Sequence, residues 1–187
     1  MKRGSIYDTL TKVTRRLREE KIDYAVVGAM ALSAHGFRRF TEDVDLLTTP
    51  EGLDAIHKRL VGRGYVPAFP GARKKLRDTE TGVKVDFITS GEFPGDGKPK
   101  PVKFPVPRDV SVELDGYNVI VLPKLVELKL VSGLSSVERL KDLGDVVELI
   151  KALTLPRDLA EQLDPSVRDE YYHLWDGLQK TWDPSDG

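Results

Sequence analysis

In an extended strand side chains alternate faces, so Asp43 and Asp45 of Asp43-Val44-Asp45-Leu46 project from one side, close together. Like charges so placed repel, and a strand built only for packing gains nothing from them. A divalent cation removes that penalty, and hard Mg²⁺ favours a few carboxylates together with substrate phosphates. Asp86, between Val85 and Phe87, is the same kind of residue on another short apolar strand. If the two strands are neighbours, three carboxylates converge on one edge, enough for a two-metal phosphoryl-transfer site. Val27-Gly28-Ala29 adds a strand that ends in glycine and runs at once into a helix. Such a turn presents backbone N–H groups to an anion, and glycine lets phosphate approach the backbone closely. Each segment also has a plain reading: a solvated Asp-x-Asp face, the polar side of an edge strand carrying Lys84 and Asp86, an ordinary strand–helix glycine. Their order and spacing together point to chemistry.

The elements that must position these residues are legible from periodicity. Ile6, Leu10, Val13 and Leu17 mark one face of a helix over 5–20, with Ser5 as N-cap. A strand follows at 23–27, a helix at 29–35 stopped by Gly36, a strand at 43–49 ended by Pro50, and a helix at 51–60. His35 is expected to cap the end of its helix. Residues 65–90 hold two or three strands, clearest at 83–88. Eight of the seventeen residues 91–107 are Gly or Pro, which marks a long loop, expected here to act as a lid or acceptor guide. Asp115-Gly116 sits between two apolar runs as a hairpin turn. Helices are expected at 123–132, 136–153 and 166–181, with Tyr171, Trp175 and Leu178 as a packing stripe on the last. The expected fold is α/β (α+β): a core over residues 1–122 with an N-terminal helix, and a helical region over 123–187 packed on it.

Composition narrows the class. The 187 residues suit one domain, or one domain with a helical appendix, and need no covalent staple to fold. Twenty-nine Lys and Arg against thirty Asp and Glu give a net charge of −1, which excludes an overall basic coat but not a local basic face. No cysteine is present, so disulfides, a thiolate nucleophile and Cys-ligated metals are excluded. His57 and His173 lack partners at ligand spacing. No apolar run approaches the roughly 18 residues of a membrane span, and no signal peptide is visible, so a soluble cytoplasmic protein is expected. Asn118, Gln162 and Gln179 are the only side-chain amides. Such depletion of thermolabile residues accompanies life at high temperature, and biased codon usage yields the same pattern.

Gly28-Ala29, thirteen further residues and then Asp43-Val44-Asp45-Leu46 resemble the first signature of the polymerase-β-like nucleotidyltransferases. Lys84-Val85-Asp86-Phe87 resembles their third-carboxylate strand. Gly36-Phe37-Arg38-Arg39-Phe40-Thr41-Glu42-Asp43 is similar to the Gly-x-x-Arg-x-Thr-x-Asp of small stand-alone prokaryotic members, which include toxins of abortive-infection toxin–antitoxin pairs. Leu125–Leu130 and Arg139–Asp145 look like the helical Lys and the Arg-x-Lys-Asp-x-x-Asp of that branch. The resemblance spans roughly residues 20–153. It implies a mixed sheet flanked by helices, with Asp43, Asp45 and Asp86 as catalytic residues and ligands of one or two Mg²⁺. It implies that Gly28, Ala29, Lys129 and Asp142 contact the NTP. Two departures stand out: Ala29 replaces the usual Ser or Gly, and no Asp precedes Lys129 by four to six residues.

The activity implied is Mg²⁺-dependent transfer of an NMP from NTP to an acceptor hydroxyl. RNA, tRNA in particular, is the expected acceptor, with a toxin role and a cognate antitoxin as partner. The residues' own motive for RNA is the run Lys58, Arg59, Arg63, Arg73, Lys74, Lys75 and Arg77, which contains no acid. The alternatives are a non-catalytic nucleotide- or partner-binding protein of the same fold, and an aminoglycoside-type small-molecule nucleotidyltransferase.

Overall fold

The computed structural model describes residues 3–181. One compact unit runs to Glu92 and resumes over Phe104–Val121; the other takes Phe93–Lys103 and the described residues from Leu122 onward.

In the first unit, helix α1 (Arg3–Glu19) buries Ile6, Leu10, Val13 and Leu17, the stripe its periodicity predicts. Strand β1 (Tyr24–Val26) is buried at every position. Gly28 then adopts φ +62°, so the glycine opens helix α2 (Gly28–Ala34) rather than closing the strand. Strand β2 (Asp43–Thr48) sends Val44 and Leu46 inward. Pro50 ends the strand by starting a helix: α3 (Pro50–Arg59) has Thr49 as N-cap, its side chain accepting the Gly52 N–H at 2.9 Å. A cap of this kind contributes about 1 kcal/mol.

Strands β3 (Tyr65–Pro67), β4 (Lys75–Asp78), β5 (Lys84–Thr89), β6 (Ser111–Leu114) and β7 (Tyr117–Ile120) complete a seven-stranded sheet in the order β3-β4-β5-β2-β1-β7-β6. β2 pairs with β5 and β1 with β7 in parallel, and the other pairs are antiparallel, so the sheet is mixed. The β6–β7 hairpin turns through Asp115 and Gly116, both at positive φ, as an Asp-Gly turn requires. His35 follows α2, and its Nε2 lies 2.7 Å from the Ile120 carbonyl at the end of β7. Asp78 is fully buried; it pairs with Lys12 at 3.0 Å and accepts the Glu80 N–H of the β4–β5 turn. Burial, with the nearby Asp78 charge, pushes the Tyr65 hydroxyl up to about 12.

The second unit is helical: α4 (Leu122–Ser135), α5 (Leu140–Leu153) and α6 (Pro165–Thr181), with 3₁₀ turns at Val137–Arg139 and Arg157–Gln162. Tyr171 of α6 is fully buried and donates to the Pro156 carbonyl at 2.9 Å. The Gly/Pro-rich excursion divides. Gly91 N–H donates to Phe104 C=O and Phe104 N–H to Glu92 C=O, each at 2.8 Å, pinching its base in the sheet unit. Its interior packs on α4, where a Cβ on Gly95 would lie 2.1 Å from Ser135 Oγ. The Asp96 N–H also donates to Ser135 Oγ at 3.2 Å. The segment expected to act as a lid or acceptor guide is therefore, over Phe93–Lys103, a fitted part of the helical unit.

Candidate active site

The parallel pairing of β2 with β5 sets Asp45 directly opposite Asp86. The antiparallel pairing of β5 with β4 sets Lys75 opposite Asp86 on its other side. Opposed residues share a face, so Lys75, Asp86 and Asp45 form a row across three neighbouring strands, with Asp43 two positions along β2. The alternate positions Val44, Leu76 and Val85 are fully buried, which fixes the carboxylate face as the open one.

Local contacts then tune the row. The Lys75 ammonium donates to Asp86 Oδ2. The other oxygen, Asp86 Oδ1, is buried and has no hydrogen-bond partner. The bond to Asp86 holds the Lys75 ammonium above the ordinary lysine value; partial burial opposes it, and the charges of Asp86, Asp43 and Asp45 reinforce it. Val27 N–H donates to the Asp45 carbonyl at 3.1 Å and brings the chain alongside β2. There a Cβ on Gly28 would lie 2.3 Å from Asp45 Oδ2. Gly28 is thus required twice, for its positive φ and for the space that Asp45 occupies.

Among the described residues, no three His, Asp or Glu side chains are gathered closely enough to hold a metal. Asp43, Asp45 and Asp86 share the face, and the Lys75 ammonium donates to Asp86. The donor set nevertheless fits a divalent cation. It offers hard carboxylate oxygens on one face, an orphaned oxygen on Asp86, and a glycine whose missing side chain leaves space beside Asp45 Oδ2, although Lys84 and Arg77 share that face with Lys75.

No protein-family model matches the chain, and no curated sequence does so significantly. Solved structures do match. One is a proposed nucleotidyltransferase from Thermotoga maritima, 22% identical, with a TM-score of 0.54 over 79% of this chain and 96% of its own. Another is the antibiotic-resistance factor ANT(2'')-Ia, 13% identical, TM-score 0.56, over 91% and 95%. A third is an antigenic nucleotidyltransferase-like protein from Paracoccidioides brasiliensis, 13% identical, TM-score 0.51, over 81% and 78%. This is the nucleotidyltransferase fold.

Within the nucleotidyltransferase fold, the two further residues expected at the nucleotide lie in the helical unit. Lys129 of α4 donates to Asp142 Oδ1 at 3.0 Å and to Asp145 Oδ2 at 2.5 Å, both on α5. Asp142 Oδ2 accepts from Ser132 Oγ at 2.7 Å and lies 3.3 Å from Arg139 Nε. Burial pushes the Asp142 carboxyl up, but Lys129, Ser132 and Arg139 outweigh it and leave the group below its ordinary value.

The acid-free basic run acquires acids from elsewhere in the chain. Arg73 pairs with Asp54, Lys74 with Glu92, Lys75 with Asp86 and Arg59 with Glu20. Composition within the run could not show these partners. Sequence reasoning also missed Lys75 as a member of the row. The available signal was the alternation Lys75-Leu76-Arg77-Asp78, which marks a strand, but its place beside β5 is a tertiary fact. A cavity of about 310 Å³ lies between α1, α2 and the segment leading to Asp43, lined by Tyr7, Met30, Ser33, Arg39, Phe40 and Thr41 among others. Thr41 Oγ1 donates to the Asp43 carbonyl at 2.9 Å and so fixes the entry to β2.

Proposed function

We propose that the chain is a nucleotidyltransferase that moves a nucleoside monophosphate from an NTP to an acceptor hydroxyl. The observation that carries this reading is the row itself: Asp45 and Asp86 in register on adjacent parallel strands, Asp43 on the same face and Gly28 against Asp45. Asp43, Asp45 and Asp86 would hold one or two Mg²⁺ ions. Bound there, Mg²⁺ supplies charge neutralisation to the triphosphate and the departing pyrophosphate. The backbone at Gly28 and Ala29 receives the phosphates. Asp86 Oδ1, the oxygen without a partner, accepts the proton of the acceptor hydroxyl. The acceptor oxygen bonds to the α-phosphorus, the bond from that phosphorus to the bridging oxygen breaks, and pyrophosphate leaves with the electron pair. Positioning and electrostatics carry the reaction, since the protein forms no covalent bond. A phosphate contact from Lys129 requires its ammonium to exchange Asp142 or Asp145 for phosphate, so its role and that of Asp142 would be exercised from the helical unit.

For the acceptor we retain RNA, tRNA first, on the basic residues around Lys58–Arg77. A toxin role with an antitoxin partner and a cytoplasmic place follow from the branch resemblance. No helix among the described residues is long and apolar enough to cross a membrane. A small polyhydroxylated acceptor is the second reading, favoured by the pairing of Arg73 and Lys74 with Asp54 and Glu92, which lowers the net charge of that surface.

The test is incubation with each labelled NTP and Mg²⁺ in the presence of total tRNA or an aminoglycoside, resolved by gel and thin-layer chromatography. Label transfer to either acceptor, lost in Asp45→Asn, is the expected result. No transfer to any acceptor from any NTP would favour the non-catalytic binding protein. RNA binding should weaken with salt by about −0.7 in log–log slope per phosphate contact. A salt-insensitive reaction selects the small acceptor.

A further inference from the structure

We propose that Lys75 is a built-in counter-ion of the carboxylate row: it occupies Asp86 and competes with the divalent metal for it, so that Lys75 sets the metal affinity of the site. This rests on the metal-dependent reading above. A lysine opposite an aspartate on an open sheet face is ordinarily a minor ion pair. Three observations set this one apart. Asp86 is flanked in register by Lys75 on one side and Asp45 on the other, so the ammonium is bonded to a carboxylate of the row rather than to an isolated one. The neighbouring cations Arg73 and Lys74 pair with Asp54 and Glu92, which lie outside the row. And Asp86 is served on one oxygen only: Oδ2 receives Lys75 while Oδ1 is buried without a partner.

The same face also carries Lys84 opposite Asp43 and Arg77 opposite Lys84, but it is the Lys75 ammonium that is bonded to Asp86. Lys75 is half exposed on a flexible stem, so its ammonium can withdraw into water without disturbing β4. A metal entering the row therefore meets a cation already in place, and must either displace it or accept its repulsion. Removing the ammonium relieves the metal of that competition. Keeping the charge with a different head group retains it.

The experiment is Mn²⁺ binding to the full chain without nucleotide, read by the electron paramagnetic resonance of free Mn²⁺ at fixed ionic strength. The proteins are wild type, Lys75→Met, Lys75→Gln, Lys75→Arg and Asp45→Asn, each checked for folding by circular dichroism. Loss of one positive charge a few ångströms from a divalent ion in a partly exposed site should tighten binding roughly tenfold. Lys75→Met and Lys75→Gln should both show this gain, and Lys75→Arg should return the wild-type affinity, an outcome that loss of packing would not produce. Lys75→Gln carries the test should Lys75→Met fail to fold. Equal affinity in all four, abolished by Asp45→Asn, would overturn the counter-ion role and leave the metal reading intact. Weaker binding in the neutral variants would also overturn it, because Lys75 would then assist the metal. No Mn²⁺ binding by any protein would overturn both.

Discussion

Two lysine–carboxylate clusters, one in each unit, use the same residue types to opposite ends. In the helical unit Lys129, Arg139 and Ser132 meet Asp142 and Asp145, and both oxygens of Asp142 are served. Charge is balanced within that group, and Asp142 and Asp145 are buried. In the sheet unit Asp43, Asp45 and Asp86 share an open face with Lys75, Lys84 and Arg77, and one oxygen of Asp86 is unserved. A balanced, buried cluster gains little from a further ion and loses much when one member is removed. An open one, with a carboxylate oxygen unserved, tolerates loss of its lysine and has a use for a cation. Burial and hydrogen-bond satisfaction therefore separate a cluster that holds helices together from one arranged for ligand chemistry.

The most severe way to break this contrast is Asp45→Asn. If the row is the reacting centre, nucleotidyl transfer should fall by about a thousandfold or more, as when an electrostatic group of a transition state is removed. Initial rates with labelled NTP measure this, and an activity above one-tenth of wild type would remove the row from the mechanism.

Next in size is the same substitution made in both clusters. Lys129→Met leaves two buried carboxylates without their shared cation and should cost about 3–5 kcal/mol. Lys75→Met breaks an exposed pair and should cost less than about 1 kcal/mol. Urea unfolding followed by circular dichroism compares them directly. Equal costs would erase the distinction between a structural and a functional cluster.

Gly28→Ala sharpens the geometry of the row. The added Cβ meets Asp45 Oδ2 at 2.3 Å and sits at φ +62°, so a loss of about 1–3 kcal/mol is expected. Transfer should fall with it. Gly116→Ala, also at positive φ but with open space around it, serves as the control for backbone strain alone. If the two variants lose equal stability and activity, Gly28 is a turn glycine only.

The smallest effect is on pH dependence. Asp142 is held below its ordinary value in the folded protein, so its contribution is present above the unfolded carboxyl value near 3.9. As pH falls below that, the unfolded chain binds a proton the folded one refuses, and the stabilisation drains away until the folded value is passed. Asp142→Asn should be less stable at neutral pH and show a shallower loss of stability as pH falls below the unfolded carboxyl value of about 3.9. Parallel acid-unfolding curves would mean that the helical cluster does not hold this carboxylate ionised.

What the sequence by itself determined is whatever repeats within a few residues. The period of two placed Asp43 and Asp45 on one face, and the three-and-four spacing gave α1 its buried stripe. Asp115-Gly116 specified its hairpin, because the turn needs two positive φ angles that few residue pairs accept. Tertiary structure alone decided which strands are neighbours and in what register. Asp86 could be assigned a face from Val85 and Phe87, but its place between Asp45 and Lys75 depends on pairings across about forty and about ten residues of chain. The same holds for the basic run, whose acids Asp54, Glu92, Asp86 and Glu20 all come from outside it, and for residues 93–103, whose Gly95 fits against Ser135. A side chain's face follows from local backbone geometry. Its partner is chosen by long-range packing of buried neighbours such as Val44, Leu76 and Val85, which no short window contains.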